Sequence, residues 1–360
     1  MVVSADPYPF YNRILLSKDF LERDDLAPER VVMKPADLWE RQGIELRSAR
    51  RVVRLDAGDR RVHLDGGEVL GYERCLVATG ARPLRLPVPG GDDPGLHTLR
   101  SLDDAIRLRE AARGAGRAVV VGGGLIGVEV AAALATRGME VTVVERDAWL
   151  FGRVAPEPVG RTLREILEAG EVRVLTSAPV TGFGHGGEGH RIGTRGLDGS
   201  AGPSLAADIV VVGVGVVPET AFLRGATLSS DGGIIVDAGL RAAPGLWAAG
   251  DVAAWRDPQV GIRHRVEHWV HAQRQGKVSG SNMAGGEEAF AELTSYDTEL
   301  FGTPVRMFGS PGLAESWRVD GLASEGVAWG LRVGRYVAAY LIGKSKFSTS
   351  DIKRTLGRSC

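Results

Sequence analysis

The chain has 360 residues, and its 44 Lys and Arg against 45 Asp and Glu leave a net charge of −1, so no whole-chain field favours nucleic acid or a membrane surface. Apolar residues make up 44% and charged residues 25%, which excludes a disordered chain and allows two or three domains with cores of their own. Fifty glycines, about twice the ordinary frequency, favour tight turns and close backbone approaches over a helical bundle. In chain order, residues 2–5 read as a strand with almost nothing before it, as if a neighbour were missing. An aromatic-rich turn follows at Pro9, Phe10 and Tyr11, then a short helix end at 38–42. Residues 50–76 alternate strand and turn, with Asp59 and Gly66-Gly67 at the turns. Cys75 sits in an apolar strand and reads as a small core residue.

A helix is expected at 102–112, and then the stretch that organises the chain, AVVVGGGLIGVEVAAALATRGMEVTVVER from Ala118. A β-branched run at 119–121 leads into Gly122-Gly123-Gly124-Leu125-Ile126-Gly127, an apolar helical run and a second strand at 141–144 that ends in Glu145. This is a strand–turn–helix–strand unit with G-x-G-x-x-G in the turn and an acid about 20 residues on, the fingerprint of a dinucleotide site. Gly122 permits the turn, Gly124 lets a pyrophosphate approach the backbone, and Gly127 lets helix and strand pack closely. The free N–H groups of the helix start face the phosphates. A phosphate-free βαβ turn is the alternative. A carboxylate at Glu145 accepts bonds from a ribose 2′-OH and repels a 2′-phosphate, so NADH is expected over NADPH; Arg146 softens that preference, and a plain surface acid is the other reading. Glu129 lies among apolar neighbours, where a charge is costly unless paired, or else serves as a first-turn acid complementing the helix dipole.

Beyond this unit, a helix at 157–167 and a strand at 172–175 are expected, then a Gly-rich hairpin loop at 185–202 with His185, Glu188 and His190 solvated. A buried strand at 208–212 is followed by Gly213 and Gly215, which read as a return crossing near the dinucleotide or as close backbone packing. A strand at 234–236 precedes a strand–glycine–acid theme at 246–252, with Gly250 and Asp251. Residues 267–283 read as a helix with apolar Trp269, Val270, Ala272 and Val278. His264, Glu267, His268 and His271 have helical spacing but not the H-E-x-x-H order, and no metal is expected. The tail alternates strand-like runs at 326–329 and 336–341 and ends in a short basic helix from Ser350. Residues 301–360 carry nine Arg and Lys against four Asp and Glu, either a solvated surface or a docking face for an acidic partner. Cys75 and Cys360 form no C-x-x-C, so no local disulfide relay exists, and two isolated cysteines fit a reducing compartment. With no signal peptide and no apolar run of about 18 residues, a cytoplasmic protein is expected.

Several stretches resemble one family: YNRILLSKDFL from Tyr11, LVATGARP from Leu76, VVVGGGLIGVEVA from Val119, DIVVVGVGVVPE from Asp208, LWAAGDV from Leu246 and RVEHWVHAQRQG from Arg265. Together they are similar to the FAD- and NAD(P)H-dependent pyridine nucleotide–disulfide oxidoreductases. The nearest branch is the ferredoxin, rubredoxin and oxygenase-component reductases, with the flavin part of nitrite reductases close by. The resemblance implies an α/β fold of two Rossmann-like dinucleotide-binding domains and a small α+β C-terminal domain. The expected FAD-binding domain is discontinuous, 1–100 and 218–288; the NAD-binding domain is 101–217; the C-terminal interface domain is 289–360.

It further implies that Lys18 pairs with Glu129 beside the reacting edge of the flavin, that Gly250 and Asp251 hold the ribityl side, and that Arg13, Tyr11, Thr79, Gly80 and Trp269 lie near FAD. The cofactors would be FAD and NAD(H). The acceptor would be a small, acidic iron–sulfur redox protein docking near the basic C-terminal segment of a monomer or homodimer. Two departures stand out. The family's first GxGxxG, which holds the FAD pyrophosphate, is absent, so FAD domain and chain begin at what resembles its second strand. A misplaced start codon is the favoured expectation, with a piece supplied by another chain or weakened FAD binding as alternatives. Asp297 also stands where the family's C-terminal aromatic-Trp-Thr-Asp motif has Trp. A non-catalytic NAD(H)-binding module, or a truncated paralogue without FAD, is the competing function.

Overall fold

A computed structural model describes all residues except Glu188, Leu197, 322–325, Lys346, Gly357, Ser359 and Cys360; the sequence readings at Glu188 and Cys360 therefore lie outside the described residues. The chain divides into two compact units. One comprises residues 1–13, 27–82 and 216–294, the other residues 14–26, 83–215 and 295–360.

In the first unit, strands Leu246–Ala248 and Cys75–Val77 run parallel, with Arg241–Ala243 antiparallel on the far side of Leu246–Ala248. A second sheet runs in the order Leu223–Arg224, Val52–Asp56, Arg61–Leu64, Val69–Gly71. Leu55, Leu64, Val77, Leu246, Trp247 and Trp255 pack into one core. Helix Trp269–Met283 buries His271, Gln275, Ser279 and Asn282 rather than the apolar residues that mark it in the sequence. The reason is backbone satisfaction. Asn282 donates to the Gly239 and Glu288 carbonyls and accepts from Glu288 N–H, and Gln275 Oε1 accepts from Gly250 N–H at 2.8 Å. These side chains saturate loop groups that have no sheet partner, so a polar stripe turns inward.

The second unit contains a four-stranded parallel sheet, ordered Arg173–Leu175, Glu140–Val144, Arg117–Val121, Ile209–Val212. Val120 pairs with Val143 on one side and Val211 on the other, and these strands are apolar on both faces as a buried parallel sheet requires. Helices Leu102–Ala111, Leu125–Thr136 and Glu157–Ala169 belong to the same unit. Ser101 and Asp104 close a capping box at the first of them, fixing where it starts.

The stretch expected as a Gly-rich loop at 185–202 departs from that reading. Strand Gly189–Thr194 pairs with Val180–Gly186 on one side and Leu205–Ala207 on the other. Ile192 and Thr194 point inward and are buried, so cross-strand pairing outweighs the weak strand propensity of glycine. The C-terminal segment is a five-stranded antiparallel sheet, ordered Ser295–Leu300, Thr303–Gly309, Arg335–Ile342, Val327–Arg332, Ser316–Asp320, with helix Thr349–Thr355 after it. Among the described residues no helix is long and apolar enough to cross a membrane.

Candidate active site

The glycine loop lies between strand Arg117–Val121 and helix Leu125–Thr136. Gly122 has φ +109°, and a Cβ there would stand 2.4 Å from the Gly213 carbonyl oxygen; a Cβ on Gly127 would stand 1.9 Å from the Gly122 oxygen. Neither position has room for a side chain. Gly124 is different, because a Cβ there would meet nothing within 4 Å. Its glycine is not required by neighbouring protein atoms, and the open space lies at the N-cap of the helix, where N–H groups await an anion. Gly213 donates to the Val121 carbonyl, and Gly215, at φ +113°, accepts from Leu84 N–H at 2.9 Å.

Glu145 is buried, with Oε2 accepting Gly123 N–H at 2.5 Å and Oε1 accepting Asp147 N–H at 2.8 Å. The carboxylate thus braces the glycine loop while each oxygen keeps a further lone pair for a hydroxyl. Arg146 is exposed and lies 3.6 Å from Asp147.

Glu129 is 7% exposed on helix Leu125–Thr136. Three donors converge on it: Ser17 Oγ at 2.6 Å on Oε2, Thr298 Oγ1 at 2.5 Å on Oε1, and Lys18 Nζ at 3.5 Å. A buried carboxylate is tolerated only with this degree of pairing. A cleft of about 240 Å³ opens beside the group, lined by Ser17, Lys18, Glu22, Glu129, Glu299 and Phe301 among others. Burial, with Asp19 second, raises the Glu22 carboxyl above its ordinary value.

Lys18 is positioned by its backbone. Arg109 is buried with its guanidinium 3.8 Å over the Phe20 ring, and its Nη1 donates to the carbonyls of Phe20, Arg23 and Leu26. Arg137 donates to the Leu21 carbonyl and grips Asp24 through Nη2. Sequence reasoning missed Arg109, Arg137, Ser17 and Thr298. Only Thr298 carried a signal, the buried hydroxyl position between exposed Asp297 and Glu299 on an alternating strand.

In the first unit, Thr79-Gly80 and Gly250-Asp251 follow the carboxyl ends of the parallel strands Cys75–Val77 and Leu246–Ala248, the place where open α/β sheets take ligands. Gly80 and Gly250 have φ of +66° and +79°, conformations that favour glycine. Thr79 Oγ1 donates to the Glu219 carbonyl. Asp251 is buried, and its carbonyl accepts from Arg265, which is itself paired with Asp231 and Glu267. The Gln275 amide that accepts from Gly250 leaves its Nε2 buried without a protein partner.

Trp269 is half-buried at the first turn of its helix. Tyr11 is buried with its hydroxyl on Asp6 at 2.5 Å, and exposed Arg13 lies over the Tyr11 ring. Burial holds the Cys75 thiol up at about 11, which keeps it protonated and unreactive.

His264, Glu267, His268 and His271 do not converge as a ligand set among the described residues. His271 Nδ1 is engaged by the Thr294 hydroxyl at 3.0 Å, and His264 lies 3.5 Å from Asp257. The group of metal-ligating side chains that the described residues do bring together is Asp93, His185 and His190.

The chain is 34% identical over 309 residues to the ferredoxin–NAD(+) reductase component of the biphenyl dioxygenase system of Paraburkholderia xenovorans, covering 86% of this chain and 74% of that protein. It is 35% identical over 344 residues to the ferredoxin–NAD(+) reductase component of the anthranilate 1,2-dioxygenase system of Burkholderia cepacia, covering 94% and 83%. The ferredoxin reductase for the CYP199A2 system of Rhodopseudomonas palustris superposes with a TM-score of 0.85 at 26% identity, covering 95% of this chain and 84% of that one. The family pattern described as pyridine nucleotide-disulphide oxidoreductase matches residues 1–276. The chain belongs to the pyridine nucleotide-disulphide oxidoreductase family.

Proposed function

We propose that this protein is a flavin-dependent oxidoreductase that takes hydride from NADH onto FAD and passes the electrons to a ferredoxin-type protein. The observation that carries the reading is the buried Glu129, held by Ser17, Thr298 and Lys18 on the helix of the glycine loop. A plain nucleotide-binding module has no use for a desolvated ion pair of this kind. In this reading residues 1–100 with 218–288 serve FAD, 101–217 serve NADH, and 289–360 present the face for the acceptor.

The residues present fit NADH and part of FAD; the glycine loop with which the family holds the FAD pyrophosphate is not among them. The open space at Gly124 is where a nucleotide pyrophosphate approaches the helix start, and Glu145 offers acceptors to the ribose. Gly250, Asp251, Thr79, Gly80, Arg13 and Trp269 would hold FAD, and the orphaned Gln275 Nε2 supplies a donor beside Gly250. When bound, FAD would supply the change from two-electron acceptance from NADH to one-electron release. Lys18 and Glu129 act by orientation, since a fixed ion pair limits the poses open to the reactants. Gly213 and Gly215 keep the crossing beside the glycine loop free of side chains. The acceptor is a small iron–sulfur protein with an acidic face, met by the basic residues of the C-terminal segment, and the setting is the cytoplasm.

The purified protein should absorb near ~450 nm and bleach on NADH addition, the signature of flavin-borne hydride chemistry. Absence of that band after incubation with FAD would sink the proposal.

A further inference from the structure

Three side chains that the proposed reaction does not use converge near the tip of the Gly-rich hairpin. His185 and His190 are register partners on strands Val180–Gly186 and Gly189–Thr194, with ring centroids 4.8 Å apart. Asp93 Oδ2 lies 2.6 Å from His185 Nε2, and one donor atom from each of the three residues lies within 4.8 Å of the others. All three belong to the same compact unit.

The framework beneath them is set by backbone. Phe183 N–H donates to the Pro89 carbonyl at 2.8 Å, and Gly90, at φ +73°, packs so closely that a Cβ would stand 2.3 Å from the Phe183 oxygen. The hairpin and the turn carrying Asp93 are therefore fixed to one another before any side chain is considered. Asp93 is oriented as well, because its Oδ1 accepts Gly95 N–H at 2.8 Å. His190 is half-buried, and its Nδ1 is buried with no hydrogen-bond partner. Burial first and His185 second push the His190 imidazole below its ordinary pKa, which keeps a ring lone pair available.

We propose that Asp93, His185 and His190 form a zinc site, with solvent as the fourth ligand. Two imidazoles and a carboxylate suit Zn²⁺ and its borderline neighbours, whereas Ca²⁺ and Mg²⁺ take oxygen ligands. A tetrahedral ion with donors at about 2.0–2.2 Å replaces the direct His185–Asp93 contact and draws in His190, an adjustment that side-chain torsions supply. The hydrogen bond from Gly95 to Asp93 is the outer support such ligands need. Bound zinc would tie the hairpin to the turn leading to His97, which joins the parallel sheet through Val210 and Val211.

The test is calorimetric titration of tag-free, chelator-treated holoenzyme with Zn²⁺ alone, together with the visible spectrum after Co²⁺ addition. One equivalent is expected to bind, with a tetrahedral-type Co²⁺ spectrum. His190→Ala and Asp93→Asn should each weaken Zn²⁺ binding by tenfold or more, and His63→Ala should leave it unchanged. Asp93→Asn keeps an oxygen for Gly95 N–H, so it separates lost ligation from lost folding. Absence of saturable binding, or one-equivalent binding that survives both variants at full affinity, would overturn the site.

Discussion

Replacing Glu129 by Gln tests the proposed reaction and the packing together. Ser17 and Thr298 donate to the carboxylate at 2.6 and 2.5 Å. Hydrogen bonds to a charged group contribute about 1.5–3 kcal/mol each and neutral ones about 0.5–1.5. Losing the charge at both contacts costs about 2–3 kcal/mol of stability on that scale. Lys18, with its side chain 26% exposed, turns to solvent and adds little. If the pair orients the reactants, freeing Lys18 should slow flavin reduction about 10²-fold, or about 2.7 kcal/mol in the barrier. Stopped-flow bleaching of the flavin by NADH measures the rate, and urea denaturation measures the stability. A Glu129→Gln protein that loses the expected stability yet reduces its flavin at the wild-type rate would show that the acid serves packing alone.

If Glu145 disfavours a 2′-phosphate, Glu145→Ser should lower the ratio of kcat/KM for NADH over NADPH at least tenfold; an unchanged ratio would remove Glu145 from cofactor choice. Arg109→Met strips three carbonyls of their donor and the Phe20 ring of its cation. It should cost about 3 kcal/mol in denaturant unfolding, and a loss under 1 kcal/mol would refute the bracing role. Burial holds His271 down at about 3, below the ordinary value of about 6.5 in the unfolded chain. The unfolded state then binds the extra proton between those values, so the stability is complete above pH ~6.5 and lost as pH falls toward 3, by about 2 kcal/mol at pH 5. Denaturation midpoints for wild type and His271→Gln should converge as the pH is lowered, and parallel curves would contradict this. Lys353 and Arg358 are exposed on the basic C-terminal segment; charge reversal of both should weaken acceptor reduction at low salt and flatten its salt dependence, and a double variant with an unaltered salt profile would remove this segment from docking.

The glycine fingerprint was legible because its chemistry is local: strand, turn, helix and acid follow one another within about 30 residues, with Gly127 pressed against the Gly122 carbonyl and Gly124 open toward a ligand. The acid at Glu129 was legible for the opposite reason, as a charge among apolar neighbours. Its partners were less so. Ser17 and Thr298 are 281 positions apart; alternation along its strand marks Thr298 as an inward position, but only the fold brings either hydroxyl to the carboxylate. Nothing in the sequence singles out Arg109 and Arg137, and both turn to the carbonyls of the 20–26 stretch. The polar stripe of helix Trp269–Met283 and the strand Gly189–Thr194 were hidden because residue propensity points one way and tertiary pairing another. Asp93 lies 92 residues from His185, beyond any spacing rule for metal ligands.

Arg109 and Arg137 hold the segment that carries Lys18 by its main chain. The ammonium group therefore contributes little to keeping that segment in place. Chemistry and scaffold are divided between different residues here. Position 18 is therefore open to exchange where a cation is kept for Glu129, as in Lys18→Arg, because its side chain does not set the path of the segment. The two arginines have no such freedom, and a library built to retune this reaction should vary the former and leave the latter fixed.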